Sequence, residues 1–275
     1  MRTTDRITVK PSKGLRLPNL IELWEKRELM YFLMWRDVKL RYKQTVFGVL
    51  WAVLQPFVMM LVFSFFFGKM GRMPSDGIPY PVFCYTALVP WTFFSNGITQ
   101  ATSSLVFSSI LIKKIYFPRI IIPLSSVMSG AVDFLFAFAV LIGMSAYYGI
   151  YPNWHSWMVP ALFLLMLITA IGVGLWFSAL NVLFRDVRYV IPMLTQVWMF
   201  STPIIYPLKI IPGKWRVLMG LNPMASVVAG FRWGLLGTSP VPRTMLLLSL
   251  LSASAMVLSG LVVFGMMEKT FEDMV

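Results

Sequence analysis

From Thr45 onward the chain is a succession of long apolar runs separated by polar or proline-marked breaks. Six stand out: Thr45–Gly68, Tyr80–Ile112, Ile120–Tyr148, Met158–Phe184, Tyr189–Tyr206 and Thr244–Met267. A helix needs roughly 20 mostly apolar residues to cross the hydrocarbon of a bilayer. Backbone groups in hydrocarbon must be satisfied within their own segment or within a closed barrel. The period-2 alternation of barrel strands is missing and the runs are too long for them. The pattern therefore predicts an all-α integral membrane protein with six transmembrane helices.

Two stretches break the pattern. Residues 1–18 read as a basic arm, and Asn19-Leu20-Ile21-Glu22 as a helix start with Asn19 as cap and Glu22 reaching back. Leu20, Leu23, Trp24, Arg27, Tyr31 and Met34 recur at helical spacing, while Glu22, Glu25, Lys26 and Glu28 take other faces. Such a helix is too polar to span and belongs along the membrane surface, or packed on a soluble partner. Residues 1–44 thus form an arm and amphipathic interfacial helix, and 45–275 the membrane domain. The second exception is Pro207–Pro242, too long for a turn and too apolar for an exposed loop. Pro212-Gly213 and Asn222-Pro223 divide it into two short helices, about 213–221 and 223–236. Non-spanning helices of this kind dip into protein or line an aqueous cavity, although a plain surface cap is the simpler reading.

Charge orients the bundle. Only 13% of residues are charged, yet the net charge is +13. Before the first run lie Arg2, Arg6, Lys10, Lys13, Arg16, Lys26, Arg27, Arg36, Lys39, Arg41 and Lys43; Lys113, Lys114, Arg119, Arg185 and Arg188 fall on the same side of six spans. The other side carries Lys69, Arg72, Lys209, Lys214, Arg216, Arg232 and Arg243. The excess predicts that the first side, with both termini, is cytoplasmic. Anionic headgroups account for the positive charge without nucleic acid. A polar N-terminus of more than 40 residues is not expected to be a cleavable signal. Cys84 has no partner for an intramolecular disulfide, and His155 is the only histidine, so a histidine-built metal site is excluded.

Candidate chemistry is sparse. Gly68-Lys69 and Gly213-Lys214 lack the glycine spacing and following Ser or Thr of a phosphate-binding loop. Asp133 is the one carboxylate deep in a run; it is either functional or a helix contact with Ser125, Ser126 and Ser129. In the second run Thr92, Ser95, Asn96, Thr99 and Ser103 share a helical face, with Gln100 a turn from Asn96 and Trp91, Phe93 and Phe94 beside them. The fifth run places Thr195, Gln196, Ser201 and Thr202 beside Trp198, Phe200 and Tyr206. Uncharged donors interleaved with flat rings suit a sugar chain, and equally suit helix–helix glue. The apolar-basic stretch Ile110–Arg119, ended by Pro118, reads as a docking element or a positive anchor.

At these residues the chain resembles the permease subunits of ABC-2-type polysaccharide exporters, which move lipid-linked O-antigen, capsule or teichoic acid. The resemblance rests on Trp35-Arg36-Asp37-Val38-Lys39-Leu40-Arg41-Tyr42-Lys43-Gln44-Thr45, Gly48-Val49-Leu50-Trp51-Ala52-Val53-Leu54-Gln55-Pro56, Leu88-Val89-Pro90-Trp91-Thr92-Phe93-Phe94, Ile112–Arg119, Leu180–Tyr189 and Leu221-Asn222-Pro223-Met224. It runs from about residue 20 to about 240.

The resemblance implies a homodimer with two copies of a separate ATPase, which would bind ATP and Mg; this chain would carry no cofactor and be no enzyme. Leu111, Ile112, Lys113, Lys114, Ile115, Tyr116, Phe117 and Arg119 would dock on that ATPase. The helices within about 207–242 would form a periplasmic gate in a bacterial inner (cytoplasmic) membrane. The expected mechanism takes a polyprenyl-pyrophosphate-linked glycan, O-antigen of lipopolysaccharide first among candidates, from the cytoplasmic leaflet. Arg36, Lys39, Arg41 and Lys43 would meet its pyrophosphate. Trp91, Phe94, Asn96, Gln100, Gln196, Trp198 and Tyr206 would line its path. Capsule, teichoic acid, or another lipid or drug are alternative cargoes, and a membrane glycan ligase or polymerase is an alternative class.

Overall fold

The computed structural model describes residues 20–43, 45, 48–268 and 271. The basic arm and Asn19 lie outside them, as do Gln44, Val46 and Phe47. All regular structure among the described residues is helical. In order, the helices are α1 (Leu20–Glu25), α2 (Arg27–Tyr42), α3 (Leu50–Phe63), α4 (Tyr80–Phe107), α5 (Ser109–Lys114), α6 (Ile121–Tyr147), α7 (Val159–Leu183), α8 (Val187–Phe200), α9 (Gly213–Leu218), α10 (Pro223–Leu236) and α11 (Arg243–Met267).

Four helical segments among the described residues are long and apolar enough to cross a membrane: Leu50–Met70, Ile121–Tyr147, Trp154–Leu183 and Arg243–Met267. The first joins α3 to a wide π-helical turn, Ser64–Met70; Pro56 inside α3 lacks a backbone donor. The second and fifth predicted runs depart from the expectation of six. Helix α4 has the length, about 42 Å at 1.5 Å per residue, but its hydroxyl and amide residues leave it less apolar than the other four. It is instead the centre of the protein: 19 of its 28 residues are buried, and α3, α6, α7, α8 and α10 pack around it. Helix α8 has 14 residues, about 21 Å, short of a core about 30 Å thick. It stops because Pro203 supplies no amide donor and Thr202 turns its hydroxyl back to the Trp198 carbonyl (2.9 Å).

The remaining elements pack against this core. Helices α7 and α11 come into backbone contact. A Cβ on Gly172 would lie 2.8 Å from the Val257 nitrogen, and one on Gly260 2.6 Å from the Gly172 oxygen, so only glycine permits the approach. Helix α10 begins where Asn222 caps it, its side chain accepting from the Met224 amide (3.1 Å) with Pro223 in the first turn. The predicted N-terminal helix is broken at Lys26 into α1 and α2. Helix α2 buries Leu33 and Val38 against the body and leaves Tyr31, Phe32 and Leu40 exposed, as α1 leaves Trp24.

Candidate functional site

Three groups of residues come together. The first is an aromatic ladder between α4 and α8. Trp91 and Phe94 lie 5.5 Å apart between ring centroids, and Phe94 meets Trp198 edge-on at 5.1 Å. Trp91 and Phe94 are buried and Trp198 is half-buried. The Trp198 indole donates to the Asn222 side-chain oxygen (2.9 Å), and the Asn222 amide donates to the Thr202 hydroxyl (3.0 Å). One asparagine thus caps α10 and holds both Trp198 and the break after α8. Beyond Trp198 opens a cavity of about 470 Å³ lined by Trp198, Ser201, Ile211, Trp215, Leu221 and Asn222, among others. Two indoles with a hydroxyl and an amide suit a ring with an apolar face and polar edges.

The polar stripe on α4 divides. Thr92 and Thr99 donate back to the Leu88 and Ser95 carbonyls (2.8 and 2.9 Å). Asn96 donates to Gln55 of α3 (3.1 Å), and Gln100 turns to α2. The two amides therefore join helices. Gln196 is exposed and Tyr206 half-buried, and neither joins the ring ladder.

The break Ser201–Tyr206 is held by a residue that charge counting placed merely on the outer side. Arg232 of α10 is 3% exposed. Its guanidinium donates to the carbonyls of Phe83 (3.1 Å), Pro203 (2.6 Å), Ile204 (2.6 Å) and Tyr206 (3.3 Å), and stacks 3.5 Å over the Phe83 ring. The Tyr80 hydroxyl donates to the Ile205 carbonyl (2.9 Å). The carbonyls freed where α8 unwinds are thus satisfied by side chains. The readable signal was an arginine three and four residues from apolar Leu235 and Val228, on the buried face of its own helix.

The second group joins α2 to α6. Arg41 forms an ion pair with Asp133, donates to Gln100 of α4, and donates to Ser129 (3.1 Å). The Tyr42 hydroxyl donates to Asp133, and Ser126 donates to Asp37 (3.2 Å). The Arg41 and Asp133 side chains are 25% and 20% exposed. Burial, and then the bond to Asp133, push the Tyr42 hydroxyl up from its ordinary pKa, so it stays a donor. Among the other predicted cations, Arg36 pairs with its neighbour Asp37 (2.8 Å). Lys39 lies 5.8 Å from the Trp35 ring centroid, and Lys39 and Lys43 are exposed.

The third group is the connection after α4. The helix there, α5, ends at Lys114, where Ile115 turns extended, earlier than Pro118. Ile112 and Phe117 are buried anchors, and Leu111 is half-buried. Lys113, Lys114, Ile115 and Tyr116 face outward, Tyr116 at 69% exposure. Arg119 donates to the Glu268 carbonyl beyond α11 (2.6 Å), tying the connection to the end of the bundle. The structure thus divides the predicted docking residues into anchors and an outward apolar-basic tip.

Comparison with known proteins bears on the family. The family described as ABC-2 type transporter matches residues 28–236. An O-antigen export system permease protein RfbA of Klebsiella pneumoniae is 32% identical over 207 residues, covering 74% of this chain and 79% of that protein. A protein of the same name from Myxococcus xanthus is 30% identical over 214 residues, covering 77% and 81%. The polysialic acid transport protein KpsM of Escherichia coli is 25% identical over 200 residues, covering 70% and 75%. With a family match over most of its length and relatives that similar, this chain belongs to the ABC-2 type transporter family as a membrane permease component.

Proposed function

We propose that the chain is the transmembrane subunit of an ATP-driven exporter of a polyprenyl-pyrophosphate-linked polysaccharide, O-antigen first among candidates. Similarity to proteins named O-antigen export permeases over about three-quarters of the chain carries this reading. The ladder of Trp91, Phe94 and Trp198, opening on the Trp215-lined cavity, supports it chemically. The chain works as a homodimer with two copies of an ATPase subunit that binds ATP and Mg. Helix α4, with its length of 28 residues, makes a fifth crossing, and α8 together with the unwound segment 201–206 makes the sixth.

Both termini are cytoplasmic, by the excess of basic residues on that side. Tyr147, Tyr151, Trp154 and Trp157, exposed at the far ends of α6 and α7, form an interfacial belt at the opposite surface. The tip Lys113–Tyr116 sits in a groove of the ATPase, with Ile112 and Phe117 anchoring it from within. Closure of the ATPase pair shifts these tips as rigid bodies and opens the path between protomers. Lys39 and Lys43, with Arg36, receive the diphosphate, while Arg41 is committed to Asp133. The glycan passes Asn96, Gln196, Trp198 and Tyr206, with Gln100 at the inner end, while buried Trp91 and Phe94 back Trp198 from within. Helices α9 and α10 form the outer gate.

The test is co-purification with the ATPase followed by export of a labelled glycan. Replacing Lys113 and Lys114 by alanine is expected to leave both proteins folded while glycan-stimulated hydrolysis and export separate; normal coupling in that variant refutes docking there. The similarity to a polysialic acid transport protein favours a capsular glycan as the second cargo. A panel of labelled glycans offered to one reconstituted complex separates the two.

A further inference from the structure

The ion pair of α2 and α6 stands part-way along a helix of membrane-spanning length, with both side chains mostly withdrawn from solvent. Asp133 is the 13th of the 27 residues of α6, near the middle of a helix apolar enough to span. Charged groups at such depth are paired and costly to separate. This pair is also over-determined. Arg41 reaches Asp133, Gln100 and Ser129, while Tyr42 reaches Asp133 and Ser126 reaches Asp37. The contacting positions are spaced to match: Asp37 and Arg41 stand four apart, and Ser126, Ser129 and Asp133 stand three and four apart. They form one polar seam along two helix faces. The seam continues directly into the docking connection. Helix α6 starts two residues after Arg119, and the turn is stitched by hydrogen bonds from the Ile121 and Ile122 amides to the Pro118 and Arg119 carbonyls (3.1 Å each). Leu33 of α2 packs in the same buried apolar cluster as Ile120, Ile121 and Ile122.

We propose that Asp133 is a positioning residue that locks α2 to α6, so that a displacement of the 109–120 connection reaches α2 without slack. The inference rests on the exporter reading and adds what that reading leaves open: how the cationic end of α2 follows the ATPase. Apolar contacts alone would let α2 slide along α6; the half-buried, multiply bonded pair forbids it. A rigid joint has an asymmetric signature. Breaking it uncouples the stroke, whereas locking it covalently is harmless.

The experiment uses the complex of this chain with its ATPase in proteoliposomes, reading ATP hydrolysis and outward movement of a labelled lipid-linked glycan on the same sample. Asp133→Asn is expected to leave hydrolysis within twofold and to lower glycan moved per ATP by tenfold or more. The exchanged pair Arg41→Asp with Asp133→Arg is expected to recover at least a third of that ratio. A chain carrying Asp37→Cys, Ser126→Cys and Cys84→Ala, bridged by a short thiol-specific cross-linker, is expected to keep more than half of its export. An Asp133→Asn complex that exports within twofold of the parent overturns the proposal. If Asp133→Asn fails to assemble, the bridged chain decides: retained export supports the joint, and blocked export overturns it. Failure of the parent complex to move any glycan would instead strike the exporter reading itself, whereas an exporting parent with an equally coupled Asp133→Asn strikes only the joint.

Discussion

Replacing Arg232 by methionine isolates the bond network that holds the break after α8. Methionine keeps much of the length of the side chain and removes every donor. The Phe83, Pro203, Ile204 and Tyr206 carbonyls each lose a charge-assisted partner. A buried group left unpaired costs about 1–3 kcal/mol, so four give a gross loss of roughly 4–12 kcal/mol. Stacking on Phe83 adds up to ~2 kcal/mol. Against this, removing a buried guanidinium returns several kcal/mol of desolvation, and water reaching the loosened break satisfies some carbonyls. The net cost is about 2–4 kcal/mol. Cys84 supplies the assay. It is a free, buried thiol one residue from Phe83, so a thiol-reactive fluorophore reports opening of this region. With a tenfold change per 1.4 kcal/mol, labelling of the folded protein should accelerate by ~30- to 700-fold. Arg232→Lys keeps the charge but not the planar fork and should fall between. Parent-like labelling of Arg232→Met would show that the four carbonyls do not depend on the guanidinium, and would refute the reasoning.

Three further outcomes follow from the packing. Gly260→Ala places a methyl 2.6 Å from the Gly172 oxygen and, because backbone must move, should cost about 1–3 kcal/mol, read as a lower thermal midpoint by the same thiol assay. Asn222→Ala removes the cap of α10 together with the partners of Trp198 and Thr202; loss of the cap alone costs ~1 kcal/mol, and Trp198 fluorescence should shift red in a background lacking the exposed tryptophans. Tyr116→Asp puts an acid beside Lys113 and Lys114 on the exposed tip of the connection proposed to dock the ATPase. It should leave thermal stability within about 0.5 kcal/mol while abolishing retention of the ATPase on an affinity column.

The local signals read well and the distant ones did not. Pro212-Gly213 and Asn222-Pro223 mark the starts of α9 and α10 because proline and a capping asparagine act on their own backbone. Apolar runs predicted α6, α7 and α11 for the same reason. The second run predicted α4, but an apolar stretch is equally suited to lipid and to the middle of a protein, so its place as the buried axis, with amides serving α2 and α3, was not legible. The fifth run ended early because a proline and a back-bonding threonine stop α8 although the composition stays apolar. Arg41 and Asp133 lie 92 residues apart, so no periodicity along the chain could pair them. Arg232 was counted as an outer charge because counting charges does not ask which helix face bears them.

The central claim is that this chain conducts a glycan through lipid while a partner consumes ATP. The most direct measurement reconstitutes the purified chain in sealed vesicles, with and without its ATPase, and follows a labelled polyprenyl-pyrophosphate-linked glycan together with ATP hydrolysis. The account predicts that hydrolysis and glycan transfer appear together, only when both proteins are present. Hydrolysis by the isolated chain, or hydrolysis by the complex with no glycan crossing, would contradict it.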